Sequence, residues 1–173
     1  MINEHFPEVK GLILDMDGVL WRDTEALGDL PRLFDRIREL GLRFILATNN
    51  ATRTVVEYHA KLGGFGVELE GWQVINAAQA VGIYLQERYP EGTKLYVVGQ
   101  PSLKRTLISY QFEVVDESDP DAEIVVASLD YNLTYEKLRH ATLLIRSGLP
   151  FIGSNPDATY PTPQGLVPGS GTV

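Results

Sequence analysis

Apolar residues alternate between two rhythms along this chain. Leu12-Ile13-Leu14 and Phe44-Ile45-Leu46-Ala47 are short continuous runs, the signature of buried strands. Between them Leu30, Leu33, Phe34, Ile37 and Leu40 recur at helical spacing, with Asp29 placed to cap, Pro31 suited to the first turn and Gly41 to end the helix. Strand, helix and strand in that order predict two parallel strands joined by a right-handed crossover. Thr54 and Glu57 have capping-box spacing and open a second helix to about Leu62, where Gly63-Gly64 stops it.

From about Gly71 a second series begins. The pattern predicts helices over 76–88, 101–110 and 135–146, the last capped by Thr134. It predicts strands over 95–98, 112–115, 123–127 and 150–153, with a solvated acidic loop over 116–121. The stretch 160–172 is rich in Pro and Gly and reads as a loop or connection. Each series has its own apolar material, so the fold class is α/β with two domains. Residues 1–72 form the first and 73–168 a small α/β domain of their own.

Composition narrows the chemistry. The absence of cysteine removes disulfides, thiolate catalysis and Cys-based zinc sites. A net charge of −8 without a basic stripe argues against nucleic acid as the partner. No apolar window approaches a membrane-spanning length, and Met1–Lys10 lacks the pattern of a signal peptide, so the cytoplasm and no membrane partner are expected. His5, His59 and His140 lack metal-ligand spacing.

The chemistry concentrates where the first run ends, in Asp15-Met16-Asp17-Gly18. Open α/β sheets place their sites at the C-terminal edges of strands, and residues i and i+2 of an extended chain point the same way. Asp15 and Asp17 therefore face one place. Two crowded carboxylates call for a cation or a shared proton, and a hard divalent ion such as Mg²⁺ suits oxygen donors. Asp-Gly by itself is equally a turn signal. If the first two strands are parallel, Thr48 and Asn49 emerge at the same edge and offer neutral hydrogen-bond donors. Alone, Thr48-Asn49-Asn50 is a capping loop; behind Asp15 and Asp17 it reads as an anion cradle.

Asp15-Met16-Asp17-Gly18-Val19-Leu20-Trp21, followed by Leu46-Ala47-Thr48-Asn49-Asn50-Ala51-Thr52-Arg53, resembles the first two motifs of the haloacid dehalogenase superfamily. Gly153-Ser154-Asn155-Pro156-Asp157 and Pro168-Gly169-Ser170-Gly171 are similar to cap signatures of its class with a large α/β cap, the p-nitrophenylphosphatase and phosphoglycolate phosphatase group. The resemblance implies a Rossmann-like three-layer α/β/α core carrying an inserted cap, with residues 169–173 starting the return to the core. It implies Mg²⁺-dependent hydrolysis of a small phosphorylated metabolite, with Asp15 as nucleophile and Asp17 as general acid and base. Mg²⁺ would sit at the Asp15 carboxylate and the Asp17 main-chain carbonyl. Thr48 and Asn49 would hold phosphate oxygens, with Asn50 a weaker member, and a homodimer through the cap is allowed. The family's phosphate-binding lysine and further acidic metal ligands lie beyond the cap, and no lysine follows Lys137 here. A truncated phosphatase, or part of a longer product, is therefore expected, with little turnover if the 173 residues stand alone. A phosphomutase using the same Asp15 and a non-catalytic binding or regulatory module are the alternatives.

Overall fold

A computed structural model of the chain describes residues 8–117, 119–162 and 164–173; His5 lies outside them. The described residues form two compact units. The first comprises residues up to Thr48 together with Val55–Asn76; the second comprises Asn49–Thr54 and Ala77–Val173.

In the first unit β1 (Gly11–Asp15), β4 (Arg43–Thr48) and β5 (Val74–Asn76) make a parallel sheet in the order β1-β4-β5. Between β1 and β4 lie a short antiparallel hairpin, β2 (Trp21–Arg22) with β3 (Glu25–Ala26), and the helix α1 (Leu30–Glu39). Asp29 caps α1 by accepting from the Arg32 N–H at 3.0 Å. Helix α2 (Val55–Gly64) follows. Leu30, Phe34 and Ile37 of α1 and Tyr58 and Leu62 of α2 join Phe44, Leu46 and Val74 of the sheet in one buried cluster. Alternation along β1 leaves Ile13, 74% exposed, on the other face.

The sequence pattern placed Asn76 at the start of a helix. Instead Val74–Asn76 pairs with Leu46–Thr48 as β5, and the helix α3 begins at Ala77 and runs to Gln86. The capping-box spacing of Asn76 and Gln79 puts the first helical residue at Ala77, as observed; the short strand before it is what the pattern did not show.

The second unit is a parallel sheet of β6 (Lys94–Val98), β7 (Glu113–Val115), β8 (Ile124–Ala127) and β9 (Phe151–Gly153), in the order β7-β6-β8-β9. Its central strands are apolar at nearly every position because helices cover both faces. Leu95, Val97, Ile124 and Val126 face α3 and α4 (Pro101–Ser109); Tyr96, Val98 and Val125 face α5 (Tyr135–Arg146). Thr134 caps α5 through the Lys137 N–H. The stretch expected to be a loop is a two-stranded antiparallel ribbon, β10 (Thr159–Thr162) and β11 (Gly165–Pro168), then a short 3₁₀ turn at Ser170–Thr172. A ribbon has only edges, so Pro161 and Pro168 are tolerated in it. Among the described residues no helix is long and apolar enough to cross a membrane.

Candidate active site

β1 and β4 run parallel with Asp15 opposite Ala47, so both strands deliver their last residues to one rim of the sheet. Asp15 and Asp17 are exposed, while Met16 between them is fully buried. The two carboxylates thus lie to one side of the chain and a core methionine to the other. Gly18 turns the chain at φ +83°. A Cβ there would meet nothing, so the backbone conformation itself selects glycine. The turn is closed by Leu20 N–H donating to Met16 O at 2.9 Å and by Gly18 N–H donating to Trp21 O at 2.8 Å.

The two acids are held differently. Asp15 Oδ1 accepts from its neighbour's N–H, that of Met16, at 2.8 Å. Asp17 Oδ1 accepts from the Trp21 indole N–H at 2.7 Å. Trp21 is fully buried, with the Tyr58 and Phe65 rings at 6.4 and 5.9 Å and the Lys61 ammonium 4.3 Å from its centroid. Lys61 also donates to Asp23 O at 2.7 Å. From the sequence Trp21 could line an entrance or simply pack. It packs, and the polar end of the ring fixes one oxygen of Asp17. A buried indole N–H needs a partner, and an acid four residues before it is the signal that sequence reading left unused.

Thr48 ends β4 opposite Asn76, 8% exposed. The register puts it on the buried face with Leu46, while Asp15 shares the opposite face with Ala47. Asp15 and Thr48 share the rim, therefore, and not a face.

Asn49 and Asn50 belong to the second unit. The Asn49 side-chain amide donates to Asp157, and its carbonyl accepts from Asn155 Nδ2 at 2.8 Å. Asn50 Oδ1 accepts from Thr52 N–H and Oγ1 at 2.8 and 2.7 Å, a local turn that occupies the side chain.

As a metal site, Asp15 and Asp17 offer exposed carboxylate oxygens, a donor set of hard-cation type; the nitrogens beside them, of the Met16 main chain and the Trp21 indole, carry hydrogens that they donate to these carboxylates. Among the described residues no group of three or more His, Cys, Asp or Glu side chains gathers. His59 lies in α2, and His140 in α5 rests edge-on against Tyr96 at 4.6 Å.

Within the second unit a hollow of about 410 Å³ is lined by Leu129, Asp130, Tyr131, Leu133, Tyr160 and Val167 among others. Asp130, 6% exposed, is neutralised by Lys137 at 2.7 Å. The Tyr131 and Tyr160 hydroxyls meet at 3.4 Å, and this bond, with burial second, pushes the Tyr160 phenol up to about 12.

The family model of the haloacid dehalogenase-like hydrolases matches residues 12–113. An acid sugar phosphatase of Staphylococcus epidermidis is 32% identical over 161 residues, covering 93% of this chain and 61% of the relative. The crystal structure of a 4-nitrophenylphosphatase from Thermotoga maritima superposes with a TM-score of 0.86 at 30% identity, covering 95% of this chain and 61% of that one. A glycerol phosphate phosphatase from Mycobacterium tuberculosis, solved in complex with magnesium, gives 0.85 at 28% identity, covering 95% and 49%. The chain therefore spans about three-fifths of the length of the curated relatives it matches. By the extent of the family match and by its parallel α/β architecture, the chain belongs to the haloacid dehalogenase-like hydrolase family.

Proposed function

We propose that the protein hydrolyses a small phosphate monoester in two steps through Asp15 and Asp17. The observation that carries this reading is the common rim: Asp15 ends β1, Asp17 follows after one buried residue, and Thr48 ends the neighbouring parallel strand. An Asp15 carboxylate oxygen attacks phosphorus and the ester oxygen departs, leaving an aspartyl phosphate. Asp17 gives that oxygen its proton as it leaves, then takes a proton from the water that attacks phosphorus. Phosphate is released and both side chains return to their starting state. The Thr48 hydroxyl and the Asn49 main-chain N–H hold phosphate oxygens throughout.

Mg²⁺, held by the Asp15 carboxylate and the Asp17 main-chain carbonyl, would screen the charge between nucleophile and phosphate. The oxygen-only donors fit such an ion, and the magnesium complex of the mycobacterial relative supports it. The relatives act by name on sugar, nitrophenyl and glycerol phosphates, which favours a phosphorylated small metabolite as substrate.

The test is Mg²⁺-dependent release of nitrophenol, with equimolar phosphate, by the protein expressed from its full reading frame. Asp15→Asn lowers turnover by about a thousandfold or more, and chelation abolishes it. Asp15→Asn activity above a tenth of the wild type would remove Asp15 as nucleophile. Isomerised ester in place of free phosphate would replace hydrolysis by intramolecular transfer.

A further inference from the structure

Asn49 follows Thr48 directly, and its side chain is held: the amide donates to Asp157. Its carbonyl is gripped as well, by Asn155 Nδ2 at 2.8 Å. One residue is thus held by its side chain and by its main-chain carbonyl, through two residues of a single loop. That loop is itself braced. Asn155 Oδ1 accepts from the Asp157 N–H at 3.0 Å, fixing the two side chains relative to each other. Asn155 Nδ2 also reaches Ser170 Oγ at 3.2 Å.

Behind the loop, Gly171 N–H donates to Asp157 O at 2.8 Å and Gly169 N–H to Ala158 O at 2.9 Å. A Cβ on Gly169 or Gly171 would fall inside the contact radius of the Asp157 or Pro156 carbonyl, so this backbone-on-backbone approach requires glycine. Two residues beyond Asn49 the same segment is held again, where Ser102 Oγ donates to Ala51 O at 2.9 Å and Ala51 is 2% exposed in a buried cluster. A surface turn without a task has no need of so many fixed points.

We infer that Asn155 and Asp157 are positioning residues for phosphate capture. They clamp Asn49 at its side chain and at its carbonyl so that its main-chain N–H, on the other side of the same Cα, is presented to a phosphate oxygen. This deepens the phosphatase reading and rests on it. Asp157 and Asn155 touch neither substrate nor metal; they act through Asn49. The preorganised N–H serves the phosphate equally in ground and transition states, so losing the clamp weakens binding more than turnover.

The experiment measures KM and kcat with nitrophenyl phosphate, and calorimetric binding of inorganic phosphate, for Asp157→Ala, Asn49→Ala, the double variant and Asp157→Asn. Asp157→Ala and Asn49→Ala each raise KM and the phosphate Kd about tenfold, with kcat within about threefold. The double variant is no worse than either single one, because both substitutions break the same link. Asp157→Asn keeps an acceptor oxygen and brings KM back to within about threefold of the wild type.

Additive effects in the double variant would give Asn49 a role of its own at the phosphate and overturn the clamp. So would an unchanged KM and Kd in Asp157→Ala, whatever its unfolding temperature. Failure of the phosphatase reading looks different: Asp15→Asn stays active, or no ester turns over. The calorimetric arm still reads the clamp in that case, and unaltered phosphate binding in Asp157→Ala rejects it.

Discussion

Replacing Trp21 by Phe separates what this ring does for packing from what it does for Asp17. The ring is fully buried, and its N–H donates to Asp17 Oδ1 at 2.7 Å. Phe keeps the aromatic contact with Tyr58 and Phe65 but leaves a void of roughly 40 Å³, which at about 24 cal/mol per Å³ costs about 1 kcal/mol. The lost hydrogen bond adds about 0.5–1 kcal/mol, the low end of the range, because Asp17 is exposed and water replaces the donor. Together these lower the unfolding temperature by about 6 °C.

The catalytic consequence depends on the substrate. On the proposed mechanism, the indole holds one carboxylate oxygen of Asp17 and leaves the other to serve the leaving group. Without the indole N–H the carboxyl rotates, and proton donation suffers. A nitrophenolate leaves without help; a sugar or glycerol alkoxide needs its proton in the transition state. Trp21→Phe should therefore cut kcat on an alkyl phosphate about tenfold and on nitrophenyl phosphate by about twofold or less. Steady-state kinetics on the two esters, well below the unfolding temperature, provide the measurement. An equal fall on both substrates would show that the ring only supports the fold. No fall on the alkyl ester would show that the Trp21–Asp17 bond plays no part in proton transfer.

Two further outcomes follow from backbone and charge. Gly18→Ala meets no atoms but must hold φ +83°, so it should destabilise by about 1–2 kcal/mol through backbone strain alone, measured by urea unfolding. Tyr160 is raised from 10.0 to about 12, first by the Tyr131 hydrogen bond; a raised phenol is protonated longer in the folded chain, so its contribution to stability is complete below pH 10 and lost as pH climbs toward 12. Tyrosinate absorbance should show it ionising late, and Tyr160→Phe should remove that late step; a Tyr160 that ionises with the ordinary phenols rejects the bond to Tyr131.

The parts of this fold legible in the sequence are those written in local pattern. The first strand, the helix capped by Asp29 and the second strand each carry a complete signal, and the parallel direction of the two strands, though not the register of Asp15 opposite Ala47, follows from the crossover that joins them. The apolar runs at 95–98 and 124–127 are continuous because both faces are covered, which the sequence also displays. What escaped was set by partners far along the chain. Val74–Asn76 is a strand because β4 offers it an edge; two β-branched residues in a row favour this, but three residues are too short a run to announce a strand. The strands 159–162 and 165–168 each contain a proline, which argues against strands and which an all-edge pairing accommodates.

The same division runs through the candidate site. Asp15 and Asp17 announce themselves by type and spacing. The occupation of the Asn49 side chain could not be read, since its partner Asp157 is 108 residues away and the link exists only once the second unit has folded. An asparagine directly after a threonine proposed to hold phosphate invites the assumption that its amide meets the ligand. Its hydrogen bonds instead make it the point at which the loop 155–157 takes hold of the segment that follows Thr48. Substitutions far along the sequence at Asn155 and Asp157 should accordingly register at the phosphate before they register in turnover.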